Sequence, residues 1–510
     1  MLSSQETLAQ KFVKKGFWIY FFTVLIGPIG YLMKVIITRD LSVEEVGMLY
    51  GVISFITFLS MYSDLGCTEA LSYFLPKHIV KKEFGKAKYL VHFVIGLQIT
   101  TSLIIYVLLF LLAPWLSDYY FKSPVIELLQ IAGLFFIGIN ILHIATTFFV
   151  SVQDMKLQKG TELIRILGTT IGSGILFFGD MGNLKRYMII WIIGLFFALI
   201  FALTLFAKKY YIPYFVHIKK ERDIKLRQSF IKYALATLLL ANISTLLSQI
   251  DIQMIIYFLG SKDTGYYSTY LSLIGIPFMF LSPMISFLFP VISELSGRGD
   301  EHKIQSIIEK FWMYFGIIGI WFGIFLFQFG EILSVFFFSE KFRESGRILT
   351  YSSLFIVFNI LTQISFQVLV GTGRVAKRMQ LLGTTLIINI ALNALLIPIL
   401  GTRGSALAVG LSWIPLYYMS AKATGLKLPF LGNKQSYKNI LAGACAYGIS
   451  YYIMKTLGST AYFGEIILAI IVYMVIFICV NRRILLEAMM TIQTVRKEKS
   501  LPAPDTSLPL

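Results

Sequence analysis

Two cations lie inside apolar stretches of this sequence: Lys34 near the end of the run 17–37, and Arg165 near the start of the run 161–179. An ionisable side chain within a hydrocarbon-length run is costly and tends to face an interior or a water-filled path. Each could hold an anionic group there, or snorkel to the surface as an anchor. Arg165 also has Glu162 three residues earlier on the same helix face, the spacing of a local ion pair. Among the acidic positions, Asp64, Glu69 and Asp251 could bind a coupling proton or cation, or could serve packing and gating. Asp251 is the best placed of them, about eight residues and so roughly 12 Å from the end of its run. His92 and His143 could titrate near neutral pH, or be hydrogen-bonded packing residues.

Amides form a second set. Asn242, Thr245, Gln249 and Gln253 follow helical spacing and share a face, with Asp251 nearly opposite. Asn359, Gln363 and Gln367 make another stripe, and Asn140, His143 and Thr147 a third. Amides suit sugar hydroxyls, and they also join helices to one another. Other chemistry is missing. Cys67, Cys445 and Cys479 are far apart and form no CxxC metal or redox pair. The GTG at 371–373 follows an apolar run without the Lys-Ser/Thr of a phosphate loop. No acidic pair resembles a metal-binding DxD. No metal and no cofactor is expected.

The elements that must position these residues are membrane helices. Of the 510 residues, 57% are hydrophobic and 14% charged, against about 45–50% and about 25% in soluble globular chains. Mean hydropathy is +0.75. A soluble enzyme and a disordered chain are both excluded. Fourteen runs are long enough to cross about 30 Å of hydrocarbon: 17–37, 47–67, 89–113, 125–149, 161–179, 187–207, 233–259, 265–289, 311–330, 348–370, 380–400, 404–421, 439–457 and 464–480. The net charge of +18 reflects topology rather than nucleic acid. With the N-terminus inside, 33 of the 45 Lys and Arg fall on inner segments and 10 on outer ones, counting Lys455 at the outer end of the run 439–457. Both termini are therefore expected to be cytoplasmic, and no outer loop is long enough for an extramembrane catalytic domain.

The runs are also repeated. LSVEEVGMLY (41–50) aligns with LGSKDTGYYS (259–268), pairing Gly47 with Gly265 at an offset of 218. Pro76 and Gly85 pair with Pro290 and Gly299, and Asn140 with Asn359. Six runs separate the copies, so the duplication is parallel. The expected fold is all-α, with about 14 transmembrane helices in two six-helix lobes plus two additional C-terminal helices. Residues 1–207 would form the first lobe, 208–229 a basic cytoplasmic linker, 230–430 the second lobe, and 431–510 the added spans with a basic tail.

The pattern RDLSVEEVG…SDLG (39–47 and 63–66), its echo SQIDIQMIIYFLGSKDTGYYS (248–268) and FQVLVGTGR (366–374) resemble the polysaccharide-export branch of the multidrug/oligosaccharidyl-lipid/polysaccharide (MOP) exporter superfamily. The resemblance covers nearly the whole chain. It implies a V-shaped, two-lobed flippase that moves an isoprenoid (pyro)phosphate-linked oligosaccharide across the cytoplasmic membrane by alternating access, for cell-surface polysaccharide biosynthesis. Its partners would be that lipid-linked oligosaccharide, membrane lipids and a coupling cation or proton, with a polysaccharide polymerase or glycosyltransferases as further candidates. On this reading Lys34, Arg165, Asn242, Gln249, Gln253 and Gln363 are candidate substrate contacts, and Asp64, Asp251 and His92 candidate coupling or gating residues. A pyrophosphate needs cations in a low-dielectric cavity, which favours Lys34. A cation-coupled drug antiporter of the same superfamily would instead favour acidic cavity residues. A membrane-embedded glycosyltransferase or polymerase is the distant alternative, and the chain is expected not to be an enzyme. With no nucleotide-binding motif, its energy must come from an ion gradient, the membrane potential or consumption of substrate on the far side.

Overall fold

The computed structural model describes residues 8–426, 434–456 and 467–482, and the regular elements in them are helical. In chain order they are α1 (Leu8–Asp40), α2 (Val43–Asp64), α3 (Cys67–Val80), α4 (Phe84–Trp115), α5 (Ile126–Ala132), α6 (Leu134–Ser151), α7 (Met155–Phe178), α8 (Leu184–Phe206) and α9 (Ile212–Phe215). There follow α10 (Ile224–Leu259), α11 (Ser261–Ser286), α12 (Leu288–Gly297), α13 (Glu301–Phe338), α14 (Arg343–Leu349), α15 (Ile356–Gly371), α16 (Val375–Leu400), α17 (Thr402–Thr424) and α18 (Lys434–Thr456). A further helix covers Ile467–Arg482.

Eleven helical stretches among the described residues are long and apolar enough to cross a membrane. The remaining three of the fourteen expected runs coincide with α17, α18 and Ile467–Arg482. For α17 the reason is polarity, since it carries Thr402, Arg403, Ser405, Ser412 and Ser420, whereas α18 and Ile467–Arg482 both border residues outside the described ones. The expected basic tail beyond residue 482, and the side chains of Lys11, Lys14 and Lys15, lie outside the described residues.

Two segments that read as connecting loops are helical. In α3, Cys67, Ala70, Leu71 and Leu75 recur at helical spacing and are buried, while Glu69 and Lys77 point outward. In α12, Leu288 and Ile292 do the same. Such short amphipathic helices are too brief and too charged to register as spans. The corner before α3 is tight: Leu65 has φ 51° and Gly66 φ 73°. A Cβ at Gly66 would overlap the Ala234 carbonyl of α10, so only glycine fits there. Asp64 holds the corner, its carboxylate accepting from the Thr68 hydroxyl at 2.7 Å, the Thr68 amide at 3.2 Å and the Gln98 amide at 2.5 Å.

Helix starts follow the expected chemistry. Ser42 and Glu45 form a reciprocal capping box at α2, and Asp154, Asn183 and Asp223 cap α7, α8 and α10.

The α1–α2 turn and the α10–α11 turn meet at one end of the molecule, and α2 and α11 cross there backbone to backbone. A Cβ on Gly47 would overlap the Ser261 carbonyl, and a Cβ on Gly265 would overlap the Val43 carbonyl. The contact is reciprocal, because Val43 and Ser261 stand at the same offset of 218 as the two glycines. Around it, the Ser123 and Ser261 hydroxyls share a hydrogen bond at 2.7 Å, and Tyr120 donates to the Gln253 side chain at 2.9 Å. Two cations complete the closure by capping helix ends. Arg39 donates to the carbonyls of Phe336 and Phe337 at the end of α13, at 2.7 and 3.1 Å. In return Lys341 donates to the carbonyls of Leu41 and Arg39 at the end of α1, at 2.6 and 3.2 Å. Cations at helix C-termini complement both the unpaired carbonyls and the helix dipole.

At the opposite end, the turn before α7 is tied to the end of α8. Asp154 accepts from Lys209 at 2.5 Å, from Tyr210 at 2.8 Å and from the Leu157 amide at 3.3 Å. Burial works against its charge, but the bonds from Lys209, Tyr210 and Leu157 outweigh it and hold the carboxyl below its ordinary value. A depressed folded-state pKa contributes stability that is present above the unfolded value and lost as pH falls through the folded one. Asp154→Asn keeps the helix cap but loses the ion pair with Lys209, and is therefore expected to lower the thermal midpoint in detergent at pH 7 by the equivalent of about 1 kcal/mol. The gap to the wild type should close below about pH 4. An equal gap at both pH values would mean the ionised carboxylate contributes nothing.

Candidate functional site

Between α1, α2 and α11 lies a cavity of about 310 Å³. Three of its lining positions, Gly27, Gly30 and Gly275, have no side chain to fill it. Lys34 of α1 enters it and is 6% exposed. Its ammonium sits 3.0 Å from the centre of the Tyr50 ring and donates to the Ser268 hydroxyl at 3.2 Å. Among the described residues no carboxylate pairs with it. Tyr31 and Tyr50 also line the cavity, and their buried hydroxyls have no hydrogen-bond partner. A buried lysine that, among the described residues, meets a ring face and one hydroxyl, beside two phenols free to donate, has the chemistry to bind an anion.

Asp251 lies elsewhere, on the face of α10 turned towards α16, and is 6% exposed. It accepts from Asn393 at 2.7 Å, and Asn393 also bonds the side chain of Asn389 at 3.1 Å. The buried hydroxyl of Tyr267 lies beside Asp251 and Ser405 and interacts with both. This is a cluster of oxygens with no cation among them. Among the described residues no group of three His, Cys, Asp or Glu could hold a metal ion.

The other sequence candidates are engaged differently. Gln249 and Gln253 share a face, as their spacing predicts, but that face meets α2 rather than the cavity. Ser54 donates to Gln249 at 2.7 Å and accepts from Gln253 at 2.8 Å. Asn242 donates to Leu238 of its own helix at 2.8 Å, and Gln363 to Asn359 at 3.1 Å. Arg165 does not line the cavity. Its expected partner Glu162 pairs with Lys159 at 2.8 Å instead, although it still lies close enough to act on the Arg165 charge. His92 bonds the Lys88 carbonyl at 2.8 Å and Tyr211 at 3.4 Å. Asn140 joins helices, donating to Ser63 at 3.0 Å and Ser102 at 2.7 Å.

Sequence reasoning missed Tyr31, Tyr50, Ser268, Asn389 and Asn393. A signal for two of them existed: Tyr50 and Ser268, which flank Lys34, stand at the repeat offset of 218.

Residues 12–296, more than half the chain, match the family described as polysaccharide biosynthesis protein. The chain belongs to that family. Residues 237–395 match a second family, MatE, which places this family member in the MOP superfamily of transporters. It is 25% identical over 418 residues to an uncharacterized membrane protein of Methanocaldococcus jannaschii, covering 78% of this chain and 81% of that one. It is 28% identical over 170 residues to a Haloferax volcanii protein named "Probable low-salt glycan biosynthesis flippase", covering 32% of this chain and 35% of that one. Its fold is similar to that of the lipid II flippase MurJ in an inward closed conformation, with TM-score 0.73 at 14% identity over 91% of this chain and 99% of the other. An inward-facing multidrug-resistance MATE transporter of the MOP superfamily gives TM-score 0.63 at 12% identity over 78% and 94%. At these identities the similarity speaks for the fold.

Proposed function

We propose that this family member is a flippase. It moves an isoprenoid (pyro)phosphate-linked oligosaccharide across the cytoplasmic membrane by alternating access, supplying cell-surface polysaccharide synthesis. The observation that carries the reading is Lys34, a buried ammonium that has no carboxylate partner among the described residues and faces a cavity with two unused phenols. An unpaired buried charge is retained against its desolvation penalty where an anionic ligand completes it.

In this proposal residues 1–207 and 230–430 are two six-helix lobes joined by the basic segment 208–229, and 431–510 add two spans. The termini are cytoplasmic, and the crossing of Gly47 with Gly265 is the outer end, closed. The lipid phosphate would enter from the inner leaflet to Lys34, and separation of α2 from α11 would release it outward.

The test is reconstitution of the full chain in liposomes with a fluorescent isoprenyl (pyro)phosphoryl oligosaccharide on one leaflet. Protein-dependent movement supports the reading. Its absence under every imposed gradient, with gradient-driven efflux of an organic cation, moves the assignment to an antiporter.

That second reading is favoured by one observation, the Asp251 cluster within the segment that matches MatE. In the flippase the same cluster would take the coupling proton or monovalent cation. Asp251→Asn keeps the shape and the hydrogen bonds while removing the charge. It is expected to leave downhill flipping within about twofold and to abolish its acceleration by an ion gradient. Gradient acceleration equal to wild type would remove Asp251 from the coupling role.

A further inference from the structure

The charge count of the cavity bears on how many phosphates it accepts, an inference that rests on the flippase reading. Among the described residues the lining supplies one positive charge, Lys34; its other polar groups, Tyr31, Tyr50 and Ser272, are neutral. The internal repeat sharpens the count. Tyr50 and Ser268 are equivalent positions, and they hold the Lys34 ammonium between them at 3.0 Å from the ring centre and 3.2 Å from the hydroxyl. The position equivalent to Lys34 in the second copy, 218 residues on, is Ile252, which is buried and apolar. The repeat therefore supplies no second cation at that position, which is not among the residues lining the cavity.

A phosphodiester joining an isoprenoid to a sugar carries one negative charge on two non-bridging oxygens. The Lys34 ammonium and the phenols of Tyr31 and Tyr50 supply one charge and a small set of donors, a match for that group. A diphosphate in the same link carries two charges, and the second would lie in a low-dielectric cavity without a counter-ion.

We infer that the cavity between α1, α2 and α11 takes a singly charged phosphodiester, so that the preferred cargo is an oligosaccharide on an isoprenyl monophosphate rather than on a diphosphate. Bilayer phospholipids share the phosphodiester chemistry, and the test separates them.

Proteoliposomes of the full chain are given one of three fluorescent probes: the oligosaccharide on isoprenyl monophosphate, the same oligosaccharide on isoprenyl diphosphate, or phosphatidylglycerol. The expected result is monophosphate flipping at least about tenfold faster than diphosphate, with phosphatidylglycerol at the protein-free rate. Diphosphate moving as fast or faster overturns the inference and leaves the flippase reading standing. Phosphatidylglycerol moving as fast as the glycan lipid overturns it as well, because the site would then read any phosphodiester. No movement of either glycan lipid overturns the flippase reading and this inference with it. Ser272→Lys places a second cation at the cavity wall and is expected to raise the diphosphate-to-monophosphate rate ratio about tenfold. The ratio is read on protein that elutes as wild type in size exclusion, and an unchanged ratio counts against the charge argument.

Discussion

Lys34→Ala is expected to cut flipping by about tenfold or more while membrane abundance stays at the wild-type level. The reason is the differential worth of a charge-assisted hydrogen bond to phosphate, roughly 1.5–3 kcal/mol, which corresponds to roughly 10- to 150-fold in rate or affinity. Lys34→Met separates this role from a structural one. Methionine keeps most of the length of the chain against the Tyr50 ring and removes an ammonium that, without cargo, is buried and has no carboxylate partner among the described residues. A residue kept as an anchor loses stability when replaced. A residue kept for ligand binding gains stability or holds it, because the uncompensated charge is gone. The expected pair of results is therefore transport lowered with a thermal midpoint in detergent equal to or above wild type. Normal flipping by Lys34→Met, or a fall in midpoint with flipping reduced only in proportion to folded protein, would return Lys34 to the anchor role. Lys34→Arg should recover part of the rate, since it restores the charge but its planar fork fits the space beside Tyr50 less well.

Much of this fold is legible in the sequence because a bilayer leaves few options: apolar runs of sufficient length must be helices. What was not legible depended on packing. The basic stretch around Lys77 reads as a connecting loop because its charges mask the apolar face of Cys67, Ala70, Leu71 and Leu75, and only the buried contact of that face makes it α3. The site divides the same way. Lys34 and Asp251 stand out from sequence because charge within an apolar run is rare, and both are buried. Their partners are ordinary residue types from other helices, Tyr50 and Ser268 for Lys34, Asn393 for Asp251. For Gln249 and Gln253 the helical face is right and the neighbour is not, because periodicity says which residues share a face and not whether that face meets a cavity or Ser54.

The Gly47 and Gly265 pair supports the second large prediction, the loss of transport in Gly47→Val. At most crossings of membrane helices, small residues let backbones approach and a modest increase in size costs a shift of neighbouring side chains. Here the atoms that a Cβ would meet are backbone: the carbonyl of Ser261 opposite Gly47, and that of Val43 opposite Gly265. Each carbonyl belongs to the first turn of its helix and cannot swing aside without breaking that turn. The only relief is separation of α2 from α11, which also pulls Arg39 from the Phe336 and Phe337 carbonyls and Lys341 from those of Arg39 and Leu41. In an alternating-access cycle this end must close once per turnover, so a chain held apart there completes no cycle. Cysteines at positions 43 and 261, in a background without Cys67, Cys445 and Cys479, are expected to cross-link readily in the otherwise wild-type chain. In Gly47→Val they should stay reduced and react with an impermeant thiol reagent, with flipping at the protein-free rate. Gly96→Val is the matched control, since a Cβ at Gly96 meets nothing within 4 Å; it should leave both the cross-link and transport as they are. Because the contact is reciprocal, Gly265→Val should reproduce the phenotype from the other side, and the double variant should be no worse than either alone. Transport and cross-linking retained in Gly47→Val would show that the two helices part at little cost and that the closure lies with the capping cations instead.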